Sequence, residues 1–172
     1  MESVIIRPFT DEDLTGAATA LVEVHDTDGY PVEGVDDPEA WIKSEGVLAA
    51  WIAESGGRVV GHVAVTKPQG EAAADLWAEQ SGDDVDRIGV LARLFVVQSA
   101  RKQAAGRRLI EAAMSHAHAL GLRLVLDVME KDAAAIRLYE RLGWRKIGET
   151  THHFGSGETI PAVCYVSPDR LT

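Results

Sequence analysis

The sequence contains a single cysteine, Cys164, among its 172 residues, and aromatic residues make up only 6% of the chain. One thiol cannot form an internal disulfide or a cysteine-based metal site. No apolar run approaches the roughly 20 residues that a membrane-spanning helix needs. The first residues also lack the basic and apolar segments of a secretion signal. We therefore expect a cytoplasmic protein with no metal and no membrane partner.

Basic residues are also scarce, since 17 lysines and arginines stand against 27 aspartates and glutamates, for a formal net charge of −10. A field of this sign repels nucleic acids and anionic membranes, so neither is an expected partner. It favours a neutral or cationic substrate, although acidity also serves solubility. The length and the 46% of apolar residues fit a single domain over residues 1–172.

Hydrophobic periodicity predicts strands in both halves of the chain. Two apolar runs, Val47–Glu54 and Arg58–Thr66, flank a Ser-Gly-Gly turn and predict a hairpin. The second half alternates strand, helix and strand, which is typical of an α/β unit with a parallel pair. We expect an α/β fold with a twisted, mixed sheet of about seven strands and helices on both faces. The other predicted strands are Val4–Phe9, Val90–Val97, Leu122–Val128, Trp144–Gly148 and Ala162–Val166.

The most informative segment is a strand, a turn and a helix between Val90 and Leu120. The first N–H groups of a helix have no partner inside it and lie at the positive end of its dipole, a position that fits a pyrophosphate. Ala104, Ala105 and Gly106 let a ligand approach the backbone closely. Four cations gather here in an otherwise acidic chain, namely Arg101, Lys102, Arg107 and Arg108. The segment alone is compatible with an anion site and with a tight turn that has a solvated basic rim.

Two motifs resemble the signatures of the GNAT superfamily of N-acetyltransferases. Arg101–Gly106 is similar to the acyl-CoA signature, which runs Arg or Gln, two residues, Gly or Ala, one residue, Gly or Ala. Asp132–Trp144 resembles the second signature, which begins with Asn, places a Tyr in the helix and ends in Gly-Phe. The motifs follow each other in the family's order. The resemblance implies the GNAT fold and an enzyme that uses acetyl-CoA as co-substrate to acetylate an amine.

The resemblance also implies roles for individual residues. Tyr139 matches the residue that protonates the leaving CoA thiolate, and Asp127 lies on the strand where some relatives place a catalytic base. Asp132 stands where the family has Asn; it lacks the amide donor but is expected to cap the following helix. A splayed strand would pair with the pantetheine arm and a loop would cradle the pyrophosphate. The residues expected to bind acetyl-CoA are Leu94, Phe95, Val96, Arg101, Lys102, Gln103, Ala104, Ala105, Gly106, Arg107 and Asp132.

Several alternatives remain open for the chemistry. Glu130, His62 or a water chain could take the proton instead of Asp127, and position 93, acidic in other relatives, is an arginine. Tyr139 could serve packing alone. We expect direct transfer through a tetrahedral intermediate to the primary amine of a small molecule or amino-acid-like metabolite. The alternatives are acetylation of protein N-termini or lysines, and a non-catalytic acyl-CoA-binding regulatory domain. A homodimer through the last strands is compatible with the sequence.

Two further segments lie outside the motifs. Lys67–Arg87 is acidic and long enough for a lid or binding loop, or for a solvated insertion with one hydrophobic anchor. Within it, Ala72–Gln80 is compatible with a short helix that presents Leu76 and Trp77. Thr151–Val166 predicts a hairpin near the acceptor pocket. Its adjacent His152 and His153 would point to opposite faces of a strand, so we expect no metal site there.

Overall fold

The structure is a computed structural model that describes residues 3–31 and 34–169, without the side chains of Lys102 and Gln103. Within this part of the chain, five helices accompany one seven-strand twisted, open sheet. The strands are β1 (Val4–Pro8), β2 (Val47–Ser55), β3 (Arg58–Thr66), β4 (Ile88–Val96), β5 (Arg123–Met129), β6 (Arg145–Phe154) and β7 (Glu158–Val166). The helices are α1 (Leu14–Asp28), α2 (Pro38–Ile42), α3 (Ala72–Ser81), α4 (Ala105–Ala119) and α5 (Ala133–Arg141).

The strands lie in the order β1-β2-β3-β4-β5-β7-β6. Antiparallel pairs join β1 to β2, β2 to β3, β5 to β7 and β6 to β7, whereas β4 and β5 are parallel. The predicted mixed sheet, its β2–β3 hairpin and its parallel pair are therefore confirmed. The register of the parallel pair runs only from Ile88↔Arg123 to Val90↔Val125, although β4 continues to Val96 and β5 to Met129.

The chain divides into two compact units, of which the first comprises residues 1–66 and 92–113. Strands β1 to β3 and the second half of β4 form its sheet. Fully buried side chains from α1, β2, β3 and α4 form its core. Gly61 of β3 permits close packing here, because a Cβ at this position would lie 3.1 Å from both the Phe95 carbonyl oxygen and the Leu109 side chain. Proline lacks the N–H that a central strand needs, and Pro8 accordingly lies on the edge strand β1.

The second unit comprises residues 67–91 and 114–172. The acidic insertion forms the helix α3 here, anchored by Trp77, which is 8% exposed. The Arg123 guanidinium lies 4.8 Å from the centroid of the Trp77 ring, and that of Arg145 lies 5.8 Å from it. Cation–π contacts with two arginines, together with burial of the indole, fix the insertion against the sheet of this unit.

The last two strands are longer than the predicted Trp144–Gly148 and Ala162–Val166, because β6 extends to Phe154 and β7 begins at Glu158. The hairpin predicted over Thr151–Val166 is present. β6 is an edge strand of the sheet, and exposed and half-buried residues alternate along its second half. The outward positions are polar, so apolar runs mark only part of each strand.

An ion network holds the segment that precedes α1. The Arg7 guanidinium donates to both carboxylate oxygens of Asp13, at 2.8 and 2.9 Å, and to Glu54 at 2.9 Å. Asp13, which is 7% exposed, also accepts from the Thr10 backbone N–H at 2.8 Å. The pKa of Asp13 lies below its usual value, chiefly because of the hydrogen bond from Arg7.

We expect Asp13→Ala to lower the free energy of unfolding by about 2 kcal/mol at neutral pH, because it leaves a partly buried arginine without its main partner. A carboxyl with a lowered folded pKa stabilises the protein above its unfolded pKa of about 3.9 and loses that contribution as the pH falls further. Urea denaturation at pH 7 and pH 3 measures both effects. A difference between wild type and variant that does not shrink at pH 3 would contradict this account.

Candidate active site

Strand β4 changes direction at Arg93, whose φ of 54° lies in the left-handed region. This conformation costs a residue with a Cβ about 1–2 kcal/mol. Two hydrogen bonds hold it, one from Arg93 Nε–H to the Trp41 carbonyl at 2.6 Å and one between His62 Nδ1 and the Arg93 carbonyl at 2.8 Å. The next residue, Leu94, is half-buried, and Phe95 is buried. The predicted strand is therefore present, but the kink at Arg93 was not predicted.

The predicted turn follows β4 directly. Gln98–Gln103 forms a short 3-10 helix, Ala104 takes a left-handed conformation with φ 59°, and α4 begins at the next residue. The Arg108 N–H donates to the Ala104 carbonyl at 3.0 Å and makes the first bond of the α-helix. The amides of Ala105, Gly106 and Arg107 precede that bond, so the helix supplies no acceptor for them. Consecutive amides at a helix start are suited to a phosphate group.

The basic side chains of this turn are largely occupied within their own unit. Arg101 forms an ion pair with Asp28, the last residue of α1, and its Nε–H donates to the Val96 carbonyl at 3.1 Å. The Arg107 Nε atom lies 3.7 Å from Oε1 of Glu111. The side chains of Lys102 and Gln103 lie outside the described part of the structure. Arg101 thus fixes the turn to α1 and β4.

We expect Ala104→Gly to stabilise the protein by about 0.5–1 kcal/mol. Glycine adopts the left-handed conformation without the cost of a Cβ, and its larger unfolded-state entropy offsets only part of this gain. Chemical denaturation measures the change. Ala104→Val, with a β-branched side chain in the same conformation, should be destabilising, and the reverse order of the two variants would contradict the observed backbone.

Tyr139 lies on α5 and is 6% exposed. Its ring packs against Trp144, with 5.5 Å between the ring centroids. Its hydroxyl makes no hydrogen bond to any residue in the described part of the chain. Burial, and to a lesser degree the Asp132 carboxylate, raises the pKa of this phenol above its ordinary value. The side chain is therefore protonated at neutral pH, which a proton donor requires, and the same burial makes the phenol a weaker acid.

Asp127 lies on β5 and is exposed, between the buried residues Leu126 and Val128. Its Oδ1 accepts from the Ala73 N–H near the start of α3 at 2.9 Å and from the Cys164 thiol at 3.4 Å. The Asp127 carboxylate on strand β5 thus caps helix α3, and the two bonded residues, Ala73 and Asp127, lie 54 positions apart in the sequence. Burial, together with this carboxylate, raises the pKa of the Cys164 thiol to about 12.

Asp132 occupies the N-cap position of α5, but its side chain makes no capping hydrogen bond to the helix. The expectation that this carboxylate caps the helix is therefore wrong. The N-cap backbone, with φ −84° and ψ 64°, departs from the extended conformation in which a side chain can reach the N–H groups of the first turn. Its carboxylate instead contributes to the raised pKa of Tyr139.

The two alternative bases have different environments. Glu130 is exposed, and its backbone N–H donates to the Pro161 carbonyl at 2.9 Å. His62 is fully buried, and burial lowers its pKa to about 4. The predicted residues Leu94 to Arg107 lie in the first unit, and Asp127, Asp132 and Tyr139 lie in the second.

Known proteins match both the sequence and the fold. The sequence profile of the Acetyltransferase (GNAT) family matches residues 15–144. A ribosomal-protein-alanine N-acetyltransferase from Brucella melitensis superposes with a TM-score of 0.73 at 19% identity, covering 95% of this chain and 98% of the other. Arabidopsis thaliana NAA60 in complex with acetyl-CoA superposes with a TM-score of 0.71 at 17% identity, covering 95% of this chain and 97% of the other. A protein provisionally assigned as a phosphinothricin N-acetyltransferase superposes with a TM-score of 0.69 at 16% identity, covering 96% of this chain and 98% of the other. No curated protein sequence matches the chain.

The profile match and the mixed seven-strand sheet define an acyl-CoA-dependent transferase. The chain belongs to the GNAT family of acetyltransferases, and it is an enzyme that uses acetyl-CoA. Within the described ranges, no three His, Cys, Asp or Glu side chains lie close enough together to hold a metal ion. None of the helices described here is both long and apolar enough to cross a membrane.

Proposed function

We propose that this enzyme acetylates the primary amine of a small molecule or amino-acid-like metabolite. The observation that carries the proposal is an aromatic cluster around the kink of β4. The centroid of the Trp41 ring lies 5.8 Å from that of Tyr30, in an edge-on contact, and 6.2 Å from that of Phe95. The Arg93 guanidinium lies 5.6 Å from the Trp41 ring centroid. Large side chains thus crowd β4 where the thioester would bind, whereas an extended peptide needs an open groove or a free strand edge.

The backbone of the first unit supplies the groups that would hold acetyl-CoA. Leu94, Phe95 and Val96 follow the kink, and beyond Val90 the register with β5 ends, which supports backbone pairing with the pantetheine amides. The amides at the start of α4 would bind the pyrophosphate. A backbone N–H near Val96 would stabilise the oxyanion of the tetrahedral intermediate.

Direct transfer from CoA to the amine fits the state of the cysteine. A two-step reaction through an acetylated cysteine needs a reactive thiolate. Cys164 is fully buried, its pKa is raised to about 12, and its neighbour Asp127 carries the same charge as a thiolate. This thiol is unsuited to nucleophilic attack, and it is the only cysteine in the chain.

The proposed reaction then proceeds in three proton-balanced steps. Asp127 accepts a proton from the ammonium group of the acceptor, directly or through water, because only the neutral amine is nucleophilic. The amine nitrogen forms a bond to the thioester carbon, and the carbonyl oxygen gains negative charge. The intermediate collapses with cleavage of the carbon–sulfur bond as Tyr139 donates its hydroxyl proton to the CoA thiolate. The amide nitrogen loses its second proton to water, and Asp127 and the Tyr139 phenolate then exchange protons with solvent, so that the cycle releases one net proton.

An acceptor panel tests the substrate class. Acetyl-CoA should first raise the melting temperature, because a ligand that binds only the folded state stabilises it. Release of CoA thiol is then measured with small primary amines, free amino acids and short peptides with free N-termini. We expect turnover with one class of small amine and none above background with peptides. Faster turnover of peptides would instead assign the enzyme to protein substrates.

A further inference from the structure

His62 is a polar side chain placed entirely inside the first unit. Its exposed fraction is 0%, and its Nε2 atom has no hydrogen-bond partner among the described residues. A buried polar atom without a partner is unfavourable, and an apolar side chain of similar size would avoid this cost. The presence of a histidine at this position therefore requires a reason other than packing.

The other ring nitrogen supplies that reason. His62 Nδ1 lies 2.8 Å from the carbonyl oxygen of Arg93, the residue at which β4 is kinked. A carbonyl can only accept, so Nδ1 carries the proton and donates it. The His62 ring cannot easily turn away, because it stacks on the Phe95 ring, with 5.3 Å between the ring centroids, and contacts the Phe9 ring edge-on, with 5.9 Å between the centroids.

We propose that His62 is a positioning residue for acetyl transfer: its Nδ1–H fixes the Arg93 carbonyl and thereby the direction of the backbone from Leu94 to Val96. This inference rests on the proposed function, in which that backbone binds the thioester arm and stabilises the oxyanion. The ring is neutral at pH 7, because burial lowers its pKa to about 4. Since an oxyanion develops only in the transition state, the bond acts mainly on kcat.

Three variants separate the hydrogen bond from the packing. His62→Asn keeps an N–H donor close to the Nδ1 position, His62→Gln places its amide nearer to the Nε2 position, and His62→Phe keeps a ring without a donor. The wild type and the three variants are compared by kcat and KM for acetyl-CoA. Amide hydrogen exchange over residues 92–97 reports on the kink itself, independently of turnover.

We expect kcat to fall by about 10- to 100-fold in His62→Phe and His62→Gln, with KM changed by less than about threefold. His62→Asn should recover most of kcat. Exchange over residues 92–97 should accelerate in the Phe and Gln variants only. If the Phe variant does not fold, the Asn and Gln pair gives the same comparison.

The outcomes also distinguish this inference from the proposed function. Equal kcat for the Asn and Gln variants, or unchanged exchange over residues 92–97 in the Gln variant, would overturn the positioning role alone. A wild-type protein that does not bind acetyl-CoA would overturn both the proposed function and a role of His62 in catalysis.

Discussion

Replacing Tyr139 with phenylalanine lowers kcat by about 10²-fold or more and leaves the binding of acetyl-CoA unchanged, as expected for the loss of a general acid. The phenyl ring fills the same space against Trp144, and within the described part of the chain the hydroxyl has no partner that its removal would orphan. The free energy of unfolding should therefore change by less than about 0.5 kcal/mol. Thiol release and chemical denaturation of the same preparation measure both quantities.

Tyr165→Phe is the matched control for this substitution. Tyr165 lies in the same unit, is 2% exposed, and donates its hydroxyl proton to Glu140 at 2.9 Å. Its loss should cost about 1 kcal/mol of stability, because Glu140 loses a hydrogen bond, and should leave kcat unchanged. If both variants turn over at the wild-type rate, Tyr139 serves packing and the acid lies elsewhere.

Asp127→Asn should lower kcat/KM by about 10²-fold or more at neutral pH while the fold is maintained. An asparagine oxygen still accepts from the Ala73 N–H, so α3 remains capped, but the amide cannot take a proton from the acceptor amine. The rate of this variant should recover as the pH rises towards the amine pKa of about 10, because the amine then loses its proton to solvent.

Asp127→Ala separates the two roles of this carboxylate. It removes the base and the cap together, so it should share the kinetic defect and also lose about 1 kcal/mol of stability. An Asn variant with wild-type activity beside a destabilised Ala variant would restrict Asp127 to capping α3. A kinetic defect found in Glu130→Gln instead would move the base to that exposed neighbour.

Much of the fold could be predicted because local patterns agree with the final structure. The two apolar runs on either side of Ser55-Gly56-Gly57 predict the β2–β3 hairpin, and the helical spacing of apolar residues predicts α4 and α5. The predicted boundaries differ from the observed ones by a few residues: the spacing of apolar residues predicts a helix over Arg107–Leu120, whereas α4 spans Ala105–Ala119. The polar edge strand β6 was underestimated because its second half has no apolar run to signal a strand.

The parts that could not be predicted depend on contacts distant in sequence. No local signal indicates that Arg93 adopts a left-handed conformation, because the bonds that hold it come from Trp41 and His62. The capping of α3 by Asp127 is likewise a tertiary contact. The predicted cap by Asp132 failed for the opposite reason, since residue type alone does not fix the backbone angles that a capping bond requires.

The burial of Cys164 has a practical consequence at the bench. At neutral pH a thiol with a pKa near 12 is ionised in only about one molecule in 10⁵, and disulfide reagents react with the thiolate. A chromogenic aromatic disulfide added to the folded enzyme would therefore react with the CoA thiol that turnover releases and hardly at all with Cys164 of the enzyme. The same reagent would give one equivalent of colour after unfolding in guanidinium, which counts the protein independently of its activity.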